Sequence, residues 1–136
     1  SYLNTAIAQK PSDSQLYHAL GIVYETGIKD YAKAEETFKK ALEVNPESVE
    51  SMSALGRIYY NQAVNKQGEA NMINDSKKYQ EELTIAKDLF KQALPYFQKA
   101  HEMKPSESEY MVALRGIYYN LNMGPELEAI EAEMNK

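Results

Sequence analysis

Residues 17–24 read YHALGIVY, and the same pattern returns as MSALGRIY at residues 52–59 and as MVALRGIY at residues 111–118. Leu and Tyr keep their offsets in all three stretches. A second signature, Ala-x-x-x-Phe, follows the first stretch at residues 34–38 and the second at residues 93–97. Two signatures that alternate along a chain predict a repeated unit made of two helices.

The intervals between the repeats show that one unit is longer than the other. The tyrosine that ends the pattern recurs after 35 positions and then after 59, and the prolines at positions 11, 46 and 105 are separated by the same two intervals. Both signatures of the longer unit are intact. The additional residues are therefore predicted between its two helices, at about residues 61–91.

These motifs resemble the tetratricopeptide repeat, a stacked helix-turn-helix unit of about 34 residues. The resemblance implies an all-α fold, an alpha–alpha superhelix of antiparallel helix pairs, in which one pair is an elongated helical hairpin. It also implies a division into the second helix of a truncated upstream repeat (residues 1–11), a first repeat (12–46), a second repeat with an inserted helical arm at about 61–91 (47–105), and a C-terminal capping repeat (106–136).

The inserted residues are expected to be helical. Apolar residues in their second half step at three and four positions, which predicts a helix that continues back from the repeat signature. The first helix of the pair is expected to reach about residue 73, with the turn at Asn74-Asp75-Ser76. The alternative is a partly disordered polar loop over residues 65–78, because that stretch contains Gly68 and many Asn, Gln and Lys residues.

Four small residues carry further predictions. Gly21 and Gly56 are expected where the two helices of a pair approach closely, since each lacks a side chain at the contact. Ala41 is expected at a similar contact on a second helix. Gly27 is expected to end the first helix of its pair in a left-handed conformation.

Composition excludes several classes of function. The 136 residues carry a formal net charge of −5, which disfavours a nucleic-acid partner. There is no cysteine, so neither a disulfide framework nor a thiolate nucleophile is available. No long apolar run predicts a membrane span. No motif for catalysis, metal binding or a cofactor is recognisable, so we expect a soluble, non-enzymatic protein.

The resemblance implies that the first helices of the repeats line a concave groove that binds a peptide or a helical segment of another protein. Tyr60 and Tyr119 each follow a packing tyrosine directly and are expected to point into this groove as aromatic anchors. Relatives that clamp a terminal carboxylate of a peptide use Lys, Asn and Arg side chains in this groove. At the corresponding positions this chain has a single cation, Arg57, so binding of such a carboxylate is disfavoured. The positions assigned to the groove are Gln15, His18, Ile22, Glu25, Glu50, Ser53, Arg57, Tyr60, Asn61, Glu109, Val112 and Tyr119.

Two functions are compatible with these residues. The first is a protein–protein interaction module with the groove as its binding surface. The alternative is self-assembly, either within a longer array or between copies.

The long insertion followed by Ala93-Leu94-Pro95-Tyr96-Phe97 is also similar to tetratricopeptide proteins of Bacteroidetes, many of which are exported. We therefore expect a bacterial protein of the periplasm, the exterior or the cytoplasm.

Overall fold

The computed structural model describes residues 2–136, and this range contains seven α-helices, one π-helical segment and no strand. The predicted all-α fold of packed helices is confirmed. Residue 1 of the segment expected at residues 1–11 lies outside the described residues. The helices are α1 (Tyr2–Gln9), α2 (Ser14–Ile22), α3 (Tyr31–Val44), α4 (Val49–Ala70), α5 (Ser76–Met103), α6 (Ser108–Asn120) and α7 (Gly124–Met134).

The chain forms two compact units, which meet within the sequence of α4. The first unit comprises residues 1–55 and the second comprises residues 56–136. Each unit has a core of its own, built from the residues of the repeat signatures.

In the first unit, α2 packs against both α1 and α3. Asp13 begins α2, because its carboxylate accepts a hydrogen bond from the Gln15 N–H at 3.0 Å. Phe38 and Ala41 of α3 are fully buried. A Cβ atom added to Gly21 would lie 2.5 Å from the Phe38 ring, so only glycine fits beneath this ring. The close helix contact predicted at Gly21 is confirmed.

The chain leaves α2, the first helix of the first repeat, in a different way from the one predicted. After α2 the chain continues as a π-helical segment, Val23–Ile28, which contains Gly27. The left-handed residue is Lys29, with φ of 62°, and no glycine has a positive φ among the described residues. The prediction of a left-handed Gly27 is wrong because the wider π turn keeps Gly27 helical and moves the chain reversal two residues onward.

In the second unit, α4 and α5 form the elongated hairpin. At 22 and 28 residues, they are about 33 Å and 42 Å long. Asp75 begins α5 by accepting hydrogen bonds from the N–H groups of Lys77 and Lys78 at 3.0 and 3.1 Å. The turn covers residues 71–75, so α4 ends three residues before the predicted end. Residues 65–70 are helical, in agreement with the helical arm rather than the loop.

Side chains tie the arm to its surroundings in the second unit. The Lys66 ammonium lies 3.1 Å from the Glu82 carboxylate and 3.3 Å from that of Glu69. The hydrogen bond with Glu82, followed by that with Glu69, raises the pKa of Lys66 above its ordinary value of 10.5. The Gln67 side-chain amide donates to the Asn120 carbonyl oxygen at 2.7 Å. The arm therefore contacts α6 as well as closing on itself.

Aromatic rings fill the core of the second unit. A Cβ atom added to Gly56 would lie 2.7 Å from the Phe97 ring, which repeats the geometry of Gly21 and Phe38. The close contact predicted at Gly56 is thus confirmed. The Phe97 ring centroid lies 6.4 Å from that of Tyr110 on α6, and this contact joins consecutive helix pairs.

Candidate functional site

In the first unit, His18 is tied to α4 rather than free at the surface. Its Nδ1 atom lies 3.2 Å from the Ser51 hydroxyl, and its ring centroid lies 5.4 Å from that of Phe38. Ser51 is fully buried, so its hydroxyl is inaccessible to a substrate even though a histidine is its neighbour. The pair therefore holds α2 against the start of α4.

The other predicted positions of the first unit differ in exposure. Gln15 and Glu50 are exposed, and Ile22 is half-buried. Glu25 and Ser53 are each only 8% exposed. The Ser53 hydroxyl donates to the backbone carbonyl of Glu50 at 3.1 Å. A partner would therefore contact Gln15 and Glu50 readily but would reach little of Glu25 or Ser53.

In the second unit, Tyr60 contributes to both packing and surface. Its ring meets Phe90 edge-on, with 5.6 Å between the centroids. Its hydroxyl lies against the backbone of Gly116, where an added Cβ atom would be 3.2 Å from Cζ of Tyr60. The side chain is half-buried. Arg57 is also half-buried, and Asn61 is exposed.

The predicted positions on α6, Glu109, Val112 and Tyr119, are all exposed. With the half-buried Gly116 between the last two, they follow one another at three or four residues, which places them in line along the helix. Tyr119 is 70% exposed and Val112 is 47% exposed. The preceding tyrosine, Tyr118, is buried and accepts a hydrogen bond from the Gln98 amide at 3.3 Å. The tyrosine doublet thus divides into one core ring and one surface ring.

Two contacts place α4 and α6 side by side. Tyr60 meets Gly116 near the middle of the two helices, and Gln67 bonds Asn120 further along both. The two helices therefore run in the same direction, as first helices of successive pairs do in a helical-repeat array. We call the apolar residues at this surface the α4–α6 stripe; they are the half-buried Tyr60 and the exposed Val64, Val112 and Tyr119.

Val64 is missing from the positions predicted from the sequence. It is 43% exposed and follows Tyr60 by four residues on α4. That helical spacing was available in the sequence as a signal. It lies inside the insertion, however, where repeat positions no longer apply, so the resemblance could not assign it.

The described residues offer little for metal chemistry or membrane insertion. Across residues 2–136, no group of three or more His, Cys, Asp or Glu residues is placed to hold a metal ion. Within the same range, no helix combines the length and apolar character needed to cross a membrane.

The fold and these contacts define a class, the α-helical repeat proteins: two antiparallel helix pairs have a glycine beneath a phenylalanine ring, and the first helices α4 and α6 run parallel. Residues 14–48 match the family model described as Tetratricopeptide repeat. This range begins with α2 and ends just before α4. The match therefore supports one tetratricopeptide repeat, formed by α2 and α3. No curated protein matches the chain.

Proposed function

We propose that this protein is a protein–protein interaction module and that the α4–α6 stripe is part of its binding surface. Tetratricopeptide repeats in general mediate interactions between proteins, which supports the broader class of function. The observation that carries the finer proposal is the exposure of Tyr119 beside Val112 on a helix whose two other tyrosines, Tyr110 and Tyr118, are buried. Large apolar side chains that are grouped on a surface are typical of binding sites.

The stripe has the composition of an interface that binds a peptide. A tyrosine contributes a large contact area and loses little conformational entropy when it is immobilised, so aromatic residues dominate interface energetics. Glu109 and Asn61 border the stripe and are exposed, which provides polar groups at its rim. The bound partner segment would place apolar side chains against Tyr119 and Val112.

The test is capture from a bacterial lysate with the wild-type chain, followed by affinity measurement with the partner recovered. Tyr119→Ala should weaken binding by about tenfold or more, as loss of a hot-spot tyrosine does. Tyr31→Ala is the matched control, because Tyr31 is also exposed but lies at the start of α3. Tyr60 is a poorer choice for substitution, since its ring supports Phe90 and folding would suffer.

Equal binding by wild type and Tyr119→Ala would contradict the proposed surface. Recovery of only the chain itself, by both forms, would favour the second candidate function, self-assembly. One observation supports that alternative: Met72, at the tip of the arm, is 85% exposed, and Ile85 on α5 is also exposed. A concentration-dependent increase in mass, lost in Met72→Ser, would identify the arm as the self-association surface.

A further inference from the structure

A second surface of the second unit has the features of a binding site. It is a cleft of about 550 Å³ between the arm and the junction of α6 with α7. It shares only Tyr119 with the α4–α6 stripe. The lining residues belong to four helices and the α6–α7 turn, and they include Tyr79, Leu83, Lys87, Tyr118, Met123 and Leu127.

One side of the cleft is a single face of α5. Tyr79, Leu83 and Lys87 follow one another at intervals of four residues, so they stand in line along that helix. All three are half-buried. Met123 and Leu127, from the turn and from α7, line the cleft as well and are also half-buried. An apolar side chain entering the cleft would meet aliphatic groups from both α5 and α7.

The charge of the cleft is opposite to that of the protein as a whole. Lys87 is its only charged lining residue among the described part of the chain, although the protein carries a net charge of −5. A neighbouring cleft of about 420 Å³ shares Tyr118 and contains the carboxylates of Glu102, Glu126 and Glu133. An anionic group would therefore be attracted to the Lys87 end and repelled from the neighbouring cleft.

The shape of the cleft favours a peptide over a small molecule. Sites for small molecules typically enclose about 70–90% of the ligand surface. This cleft is open to solvent, so it would leave much of a small ligand exposed. An extended or helical peptide could place one side chain in the cleft and keep its backbone outside.

We propose that this cleft binds an acidic segment of a partner protein, with an aliphatic or aromatic side chain between Leu83 and Leu127 and an Asp or Glu carboxylate paired with Lys87. The site lies between the arm, the end of α6 and α7, and it shares only Tyr119 with the α4–α6 stripe. This proposal can therefore be tested separately from the function proposed for the α4–α6 stripe.

The probes are capped octapeptides that contain one central Leu or Phe and, two to four residues away, Asp, Asn or Lys. Binding to the full chain is measured by fluorescence polarisation and mapped by amide NMR shifts. We expect the Asp peptides to bind best and to shift the amides of residues 79–87 and 123–127. Lys87→Glu should weaken Asp peptides by about threefold or more and favour Lys peptides, as expected for reversal of a partly exposed ion pair.

The controls separate charge at the site from charge in general. Lys99→Glu makes the same charge change at an exposed position of α5 outside the cleft and should leave binding unchanged. Lys87→Gln should give an intermediate affinity, which keeps the test valid if the glutamate variant folds poorly. Val112→Glu alters the α4–α6 stripe without touching the cleft and should also leave peptide binding intact.

Four results would overturn the proposal. The first is that no octapeptide binds at millimolar concentration. The second is that peptides bind but shift amides elsewhere. The third is that Asp and Lys peptides bind wild type equally. The fourth is that residues 79–87 shift with protein concentration alone, which would assign the cleft to a second copy of the chain.

Discussion

The Phe38 and Phe97 rings show how single residues set the distance between helices. If alanine replaced the glycine that faces each ring, its Cβ atom would lie only 2.5 Å from Phe38 or 2.7 Å from Phe97. Both rings are almost completely buried and hence cannot move aside without disturbing other core contacts. The glycine and the phenylalanine therefore act as a matched pair in the first and second repeats.

Gly56→Ala should lower the free energy of unfolding by about 1–3 kcal/mol, because the new methyl group overpacks the contact with Phe97. Gly68→Ala on the same helix is the control. Nothing lies within 4 Å of a Cβ atom at Gly68, so this change should stabilise the protein by about 0.5–1 kcal/mol through helix propensity. Urea denaturation of both variants measures the difference. A fall in stability for Gly68→Ala, or none for Gly56→Ala, would contradict this account.

The sequence predicted these glycine contacts but not the one at Gly116. Gly21 and Gly56 occupy the same position of the repeat signature, and the third repeat has Arg115 there. The small residue of the third repeat comes one position later and faces Tyr60 of the preceding first helix. A contact between repeats does not follow from the spacing within a repeat, so only the structure shows it.

At the scale of elements, the arm is a hairpin whose ends are fixed by local chemistry. Asp75 satisfies two backbone N–H groups at the start of α5, and residues 71–75 supply the turn. The apolar steps in the sequence predicted the α5 half of this hairpin. The end of α4 was misplaced by three residues because no glycine or proline marks it.

Asp75→Ala should cost about 1 kcal/mol, since it removes the acceptor for both N–H groups. The loss should concentrate in the first turns of α5, where amide hydrogen exchange would become faster. Asp75→Ser retains a side-chain acceptor and should behave much like the wild type. If alanine and serine give the same exchange rates over residues 76–80, the cap does not stabilise the arm.

The π-helical segment and Pro95 show why local rules alone fall short. A glycine near a helix end indicates a left-handed cap, yet Gly27 lies within the helical segment and Lys29 adopts the left-handed conformation. A proline inside a helix removes a backbone donor, yet α5 continues through Pro95. At Pro95 the buried neighbours Ala93 and Phe97 fix the helix position and outweigh the local preference.

At the scale of the whole molecule, each unit combines repeat-derived packing with features of its own. The second unit is distinguished by the arm, which contacts α6 through Gln67 and contributes Tyr79, Leu83 and Lys87 to the cleft. The resemblance to tetratricopeptide repeats could predict positions on the first helices only. The cleft could not be predicted from the sequence, because it depends on the direction in which the arm leaves the repeat.

Replacing residues 65–87 with a short glycine-rich turn tests how strongly the arm supports its unit. The variant should remain helical and unfold cooperatively, but its thermal midpoint should fall by about 5 °C or more. The reason is that Asn120 would lose its bond with Gln67 and Tyr118 would lose neighbours in the cleft. Circular dichroism melting provides the measurement. An unchanged midpoint would mean that the arm is an independent appendage; loss of the transition would mean that folding requires it.

The hairpin geometry also has a consequence for the order in which the chain folds. Lys66 and Glu82, which join α4 to α5, are only 16 positions apart, whereas Gln67 and Asn120 are 53 apart. Closing a short loop takes less time and costs less entropy than closing a long one. We therefore expect the hairpin of α4 and α5 to form, starting from its turn, before α6 packs against it. The inserted residues would then provide the surface on which the third repeat folds.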